Sequence, residues 1–344
     1  MSFSIIRPLP TVQEVVEQYP LSSTLKLIKK NRDKEISHIF NGTDSRMALI
    51  VGPCSADYEK SVLEYVLKLS KLQEEVKEKF VLIPRIYTNK PRTNGLGYKG
   101  LMHQPNPCQE PNISSGILAL RRLHLKCFEE SGLTAADEML YPDVLGYLED
   151  ILGYIAVGAR SVENQQHRLV SSGIDVPVGM KNPTSGDLGV MFNAIHAAQS
   201  KHAFAYKKQE VRTSGNELAH VILRGYSTKN GENISNYHYE DLKNVDSLYK
   251  KNQHLKNPAI IVDLNHANSG KNYKEQPRIA HNVMESRQEN PDLKKIVKGL
   301  MIESYLEEGR QELEDGVYGK SITDACLGWK DTEKLILNLA NMCE

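Results

Sequence analysis

The sequence predicts an α/β fold: a (β/α)8 TIM barrel with an N-terminal extension and an inserted β-hairpin. Three observations lead there. Eight short apolar runs recur between residues 47 and 304. Each is nearly continuous in apolar residues, where a half-buried strand would alternate, so each suits a parallel strand covered on both faces. Between them lie segments whose apolar residues return every three or four positions, as amphipathic helices require. Eight such pairs in roughly 260 residues match the count and size of this barrel. A doubly wound open sheet is the alternative arrangement.

Residues 1–45 are expected to form the extension, with a Pro-flanked amphipathic stretch at 11–19 and a helical candidate at 23–40, and residues 46–344 the barrel. The runs are "MALIVG" (47–52), "FVLIPRI" (80–86), "LTAADEM" (133–139), "GYIAVGA" (153–159), "VPVGM" (176–180), "AHVILRG" (219–225), "AIIVDL" (259–264) and "GLMIES" (299–304). Helices are expected at 59–79, from near 116, 143, 161, 187, 239 and 277, and at about 331–342. The stretch "HAFAYKKQEVRTSGN" (202–216) reads as a hairpin inserted before the sixth run.

Composition removes several functional classes. Lys and Arg total 43, as do Asp and Glu, so no basic excess recruits nucleic acid and no polybasic tail suggests an anionic membrane. Any anion must be captured by cations placed locally. No apolar stretch approaches the roughly 20 residues that span a bilayer, and the N-terminus lacks the apolar core of a signal peptide. The five cysteines, at 54, 108, 127, 326 and 343, are odd in number and scattered, which argues against a disulfide framework. The expectation is a soluble, cytoplasmic protein, in which the sequons at Asn112 and Asn233 carry no weight.

A barrel of this kind places its chemistry where the strands stop. The runs end, in order, at Cys54, Arg85, Glu138, Arg160, Lys181, Arg224, Asp263 with His266, and Glu303. All eight deliver an ionisable or metal-binding side chain, which solvation alone does not explain. Arg85, Lys90, Arg92, Arg160, Lys181 and Arg224 put six cations on one face. Arg suits bidentate capture of phosphate or carboxylate, and Lys serves as a point charge or proton donor. So many cations ask for substrates with several negative groups, although some could instead pair with Asp137, Glu138 or Asp263. A second set, Cys54, His266, Glu303 and Asp324, offers thiolate, imidazole and carboxylates. Such mixed donors fit a borderline divalent ion (Mn, Fe, Co or Zn) better than Mg or Ca. Singly each is weak, since a lone buried cysteine is usually a small hydrophobe. The segment "GLGYKG" (95–100) matches a dinucleotide-binding pattern literally, but no apolar strand precedes it, so a loop over phosphates is the better reading.

The motifs "GPCS", "KPRT", "GAR", "GMKNPTSG", "ILRG", "HANSGK", "MIES" and "YGKSITDACLGW" resemble the type I alpha class of 3-deoxy-D-arabino-heptulosonate 7-phosphate (DAHP) synthases, from about residue 7 to the C-terminus. The resemblance implies condensation of phosphoenolpyruvate with erythrose 4-phosphate and water, giving DAHP and phosphate. It implies metal ligation by Cys54, His266, Glu303 and Asp324. Phosphoenolpyruvate would meet Arg160 and Arg224 through its phosphate, and Arg85 and Lys181 through its carboxylate. Erythrose 4-phosphate would be held by Lys90, Pro91, Arg92 and Thr93, with Lys90 as general acid and Glu138 near the attacking water. An aromatic amino acid effector and a homodimer or homotetramer are also implied.

Departures are visible as well. The family's frequent "GEF" is "DEM" at 137–139, and its "SHAN" carries Asn265 before His266. The stretch after Glu138 and the hairpin look shorter than in feedback-inhibited members. Cys326, two residues past Asp324, either approaches Cys54 as an oxidisable partner that would expel metal, or is simply packed. The rival functions are a related synthase of the 3-deoxy-octulosonate 8-phosphate type and a non-catalytic phosphosugar-binding regulator.

Overall fold

The computed structural model describes residues 2–92 and 95–343. Its frame is a ring of parallel strands: β1 (Met47–Gly52), β2 (Phe80–Pro84), β3 (Ala136–Glu138), β4 (Tyr154–Val157), β5 (Val178–Lys181), β6 (His220–Leu223), β7 (Ile260–Asp263) and β8 (Val297–Glu303). The hydrogen-bonded order is β2-β1-β8-β7-β6-β5-β4-β3. A parallel bridge between Arg85 and Ala136 then joins the end of β2 to β3, bringing the ring nearly to closure. The barrel expectation is met and the open sheet is not.

Every barrel strand except the second residue of β8 is buried along its full length, which is why the runs lack polar alternation. The two faces still differ. Met47, Leu49, Val51, Phe80 and Leu82 pack outward into the layer shared with the helices. Ala48, Ile50, Val81, Ile83, Ala136, Ala156, Ile222, Ile261 and Met301 fill the barrel interior.

The bottom of that interior is closed by the N-terminal extension. Helix Ser23–Asn41 begins at Ser22, whose hydroxyl accepts from the Leu25 N–H at 3.2 Å, and ends at Gly42 with φ 82°. Its Ile36, Ile39 and Phe40 belong to the interior cluster. The Phe40 ring lies 4.3 Å from the His220 ring and 5.8 Å from that of Tyr154. Tyr154 Oη and His220 Nε2 are 2.8 Å apart, and His220 Nδ1 donates to the Leu218 carbonyl at 2.8 Å. Burial pushes His220 down to about 4, so it stays neutral there. Phe40→Ala would leave this floor open. We expect a loss of about 3–5 kcal/mol, read from urea unfolding, with the distant catalytic mouth still assembled.

Helices at Glu59–Val76, Ile113–Ser131, Gln165–Ser171, Leu188–Gln199, Tyr239–Lys251, Gln276–Glu289 and Trp329–Asn341 follow the expected order. The hairpin is present as Ala203–Tyr206 paired antiparallel with Gln209–Arg212. The helix expected near 143 is only a 3-10 turn, Pro142–Tyr147, with Gly146, a poor helix former, in its last turn. Among the described residues, no helix is long and apolar enough to cross a membrane.

Candidate active site and metal centre

The C-terminal strand ends surround a cavity of about 670 Å³. Cys54, Arg85, Lys90, Pro91, Arg92, Glu138, Arg160, Lys181, Arg224, His266 and Asp324 all line it. Glu303 lies beneath, fully buried. Thr93 lies outside the described residues.

The cations divide by partner. Arg85, buried, places Nη2 2.9 Å from Glu303 Oε1, donates from Nη1 to the Pro53 carbonyl, and stacks 3.8 Å over the Tyr87 ring. Lys181 stands between Glu138 (3.6 Å) and Asp263 (3.5 Å). Lys90 reaches Asp324 Oδ2 at 2.9 Å and Cys54 Sγ at 2.6 Å. Arg92 Nε donates to the Tyr98 carbonyl at 2.8 Å. Among the described residues, no carboxylate ion-pairs with Arg160 or Arg224. Burial lowers the Arg224 pKa; Asp263 opposes this and Arg160 adds to it. Two guanidiniums facing one cavity without a carboxylate between them suit a dianion.

The candidate metal donors converge on the floor. Cys54, Glu303 and Asp324 bring ligand atoms within 4.8 Å of one another. His266 stands outside that trio, with Nε2 3.8 Å from Glu303 Oε1. Its ring is oriented from behind: Nδ1 lies 2.9 Å from Asp263 Oδ2 and 3.0 Å from Oδ1. A carboxylate only accepts, so Nδ1 carries a proton and Nε2 is left facing forward, the orientation metal-bound histidines use. The residue adopts a left-handed φ of 54°, a strained choice that turns the ring inward. Glu303 Oε1 is buried and makes no well-aligned hydrogen bond, its contact being the ion pair with Arg85. Burial would raise Glu303 and Asp263, but His266 with the neighbouring cations outweighs it, holding both below their usual range. Thiol, imidazole and a buried carboxylate oxygen that no hydrogen bond engages, though Arg85 ion-pairs with it, fit a borderline divalent cation.

Several site residues escaped sequence reasoning. Asn182, Asn236 and Asn268 form a buried lattice behind the strand ends. Asn182 Oδ1 accepts from the Arg224 N–H at 2.9 Å, Asn236 Oδ1 from Gly225 at 2.7 Å, and Asn268 Oδ1 from the Asn236 N–H at 2.8 Å. Asp137, weighed from sequence as a counter-ion for the cations and standing where the resemblance expects glycine, instead accepts from the Thr88 N–H (3.0 Å) and Thr88 hydroxyl (2.5 Å), anchoring the loop that carries Lys90. Gly158 leaves Glu138 its place, since a Cβ there would sit 2.4 Å from Glu138 Oε1 and push that carboxylate aside. Cys326 is fully buried, with Sγ 3.5 Å from the Asp324 carbonyl, and all five cysteines are free.

A barrel with a cation-lined mouth above a mixed thiol, imidazole and carboxylate floor is the scaffold of an enzyme acting on multiply charged anions. Comparison with known proteins narrows the class. The DAHP synthetase I family model matches residues 22–337. The phospho-2-dehydro-3-deoxyheptonate aldolase of Haemophilus influenzae is 37% identical over 95% of this chain and 89% of its own. The Phe-sensitive enzyme of Escherichia coli K12 is 38% identical (97% and 93%), and its Tyr-sensitive counterpart 35% (95% and 91%). The solved structure of the Francisella tularensis aldolase superposes with a TM-score of 0.91 at 31% identity, covering 99% of this chain and 98% of its own. The chain belongs to the DAHP synthetase I family, whose members are aldol-type transferases.

Proposed function

We propose that the chain condenses phosphoenolpyruvate with erythrose 4-phosphate and water to give DAHP and phosphate, the first step of aromatic amino acid biosynthesis. The observation that carries this reading is the pairing of two guanidiniums without carboxylates, Arg160 and Arg224, with the Cys54–Glu303–Asp324 floor in one cavity. Arg160 and Arg224 take the phosphoenolpyruvate phosphate, and Arg85 with Lys181 takes its carboxylate. Arg92 and Thr93 of the loop that also carries Lys90 and Pro91 hold the second phosphate. Fixing both substrates in this way replaces a bimolecular encounter by a near-attack arrangement.

Cys54, His266, Glu303 and Asp324 would hold a divalent metal, with Mn, Fe, Co and Zn all compatible with the donors. When bound, that metal supplies Lewis acidity toward the aldehyde oxygen. Lys90 donates a proton to that oxygen as C3 of the enol attacks. Glu138, paired with Lys181, faces the water that adds at C2, and phosphate leaves by C–O cleavage.

We extend the reading to regulation. Relatives include Phe-, Tyr- and Trp-sensitive enzymes. A second cavity of about 590 Å³ at the hairpin, walled by Phe204, Tyr206, Val211 and Thr213, supports an aromatic amino acid effector here. Exposed Phe3, Ile5 and Ile6 support burial of the N-terminal segment in a homodimer or homotetramer.

The test is phosphate release from phosphoenolpyruvate, across a metal series and with each aromatic amino acid added. Erythrose 4-phosphate should be turned over at least about 100-fold faster than arabinose 5-phosphate, because rejecting a misfit aldose phosphate leaves buried polar groups unpaired. The reverse preference would assign the 3-deoxy-octulosonate 8-phosphate chemistry. No turnover with either, despite tight phosphosugar binding, would leave the regulator.

A further inference from the structure

Asn265 separates Asp263 from His266, and its side chain is buried with every polar atom engaged. Nδ2 donates to Glu303 Oε2 at 2.6 Å and to the Ala325 carbonyl at 3.3 Å. Oδ1 accepts from the Ser269 hydroxyl at 2.7 Å, and the backbone N–H donates to Asp263 Oδ1 at 3.1 Å. A carboxylate and a carbonyl can only accept, so the amide has one possible orientation. Ala325 directly follows Asp324. One side chain therefore ties together the segments bearing His266, Glu303 and Asp324, which the fold draws from β7, β8 and the loop beyond β8.

The consequence for Glu303 is asymmetric. Its Oε2 is taken by the Asn265 amide, while Oε1, 3.8 Å from His266 Nε2, makes no hydrogen bond and is held only by the ion pair with Arg85 at 2.9 Å. We propose that Asn265 is a positioning residue of the metal centre. It restricts Glu303 to one donor oxygen and locks the Asp324 segment against it, and so sets metal affinity and coordination geometry. This rests on the metal reading given above. A ligand whose second oxygen is held cannot swing into two-oxygen binding, and loops that are bridged lose less entropy when a cation arrives. Partners of this type are worth about 10–100-fold in metal affinity.

The test uses the full chain stripped of metal. Mn(II) and Co(II) are titrated against a chromogenic chelator, and the visible spectrum of the Co(II) form is recorded. Asn265→Ala should weaken both ions about 10–100-fold and change the Co(II) bands, because Glu303 Oε2 becomes free. Asn265→Ser, whose hydroxyl donates to one acceptor only, should recover part of the affinity. His266→Ala serves as the control that removes a proposed ligand. If His266→Ala binds metal as wild type does, the metal reading itself falls. If His266→Ala weakens binding while Asn265→Ala stays within about threefold of wild type with an unchanged Co(II) spectrum, only the role of Asn265 is overturned. Should Asn265→Ala fail to fold, Asn265→Ser decides alone: several-fold weaker binding with altered bands supports the role, and wild-type binding and bands refute it.

Discussion

Lys90→Ala should lower kcat by about 10²–10⁴-fold, the range lost with a positioned general acid, while metal affinity holds or rises. The split follows from the geometry. Lys90 touches both Cys54 Sγ and Asp324 Oδ2, two donors of the candidate metal centre. Burial works against its charge, but Cys54, Asp324 and Glu303 outweigh that, so the ammonium is held above its ordinary pKa. While Cys54 is protonated it contributes only a polar sulfur, so the two carboxylates carry most of this effect. Were Cys54 and Asp324 engaged with a divalent cation, they would no longer hold the ammonium, and Lys90 would be free to face the cavity where the aldehyde oxygen is expected. Removing the amine thus removes the proton donor and also a competitor for the metal. Lys90→Arg should stay nearly as slow, since a guanidinium keeps its proton at neutral pH. Steady-state kinetics with a parallel chelator titration reads both halves. A kcat within about tenfold of wild type would remove Lys90 from the acid role, and a collapse of metal affinity would make it a structural strut of the centre.

This two-sided role shows what the sequence carried and what it did not. Strand ends were legible because a parallel strand buried on both faces must be apolar until it surfaces, so Arg85, Lys181 and Glu303 stood out at their termini. What each would face was not legible. Lys181 meets Glu138 from β3 and Asp263 from β7, and Arg85 meets Glu303 from β8. Those encounters come from the arrangement of strands around the ring, which joins residues from about 40 to more than 200 positions apart, and no local pattern encodes them. The possibility that some cations are paired by acids was correct for these, and Arg160 and Arg224 were distinguished from them only by the fold. The three buried asparagines were hidden for a related reason. Each sits just past a strand or in a loop, where asparagine is ordinary, and only the shared lattice gives it a function. Phe40 lay inside a plain amphipathic helix, and nothing in its spacing told that it would close a barrel floor.

Metal affinity should rise about tenfold per pH unit through the neutral range, about a hundredfold between pH 6 and pH 8, because binding must expel one proton from Cys54. Burial, followed by the charge of Glu303, pushes the Cys54 thiol up to about 12, with Lys90 acting in the opposite direction. The hydrogen bonds agree with a protonated thiol: Sγ donates to Asp324 Oδ2 at 3.2 Å and accepts from Lys90 at 2.6 Å. The sign follows directly. Below its pKa the free site holds the proton, the metal-bound thiolate does not, and so raising the pH favours the bound state until the thiol ionises by itself. Lys90 adds no proton release in this range, since its ammonium is stabilised. Two readouts test the point without any turnover: the pH slope of chelator-competition affinity, and the acid released into a weakly buffered solution on adding Mn(II). Cys54→Ser should bind more weakly and lose this unit of slope, because a serine hydroxyl stays protonated and binds as a neutral oxygen. A wild-type slope near zero would mean that the thiol is already ionised in the free protein, with the Lys90 ammonium as its counter-ion. The 2.6 Å contact would then be an ion pair that the metal must break, and affinity would respond to salt where it should otherwise respond to pH.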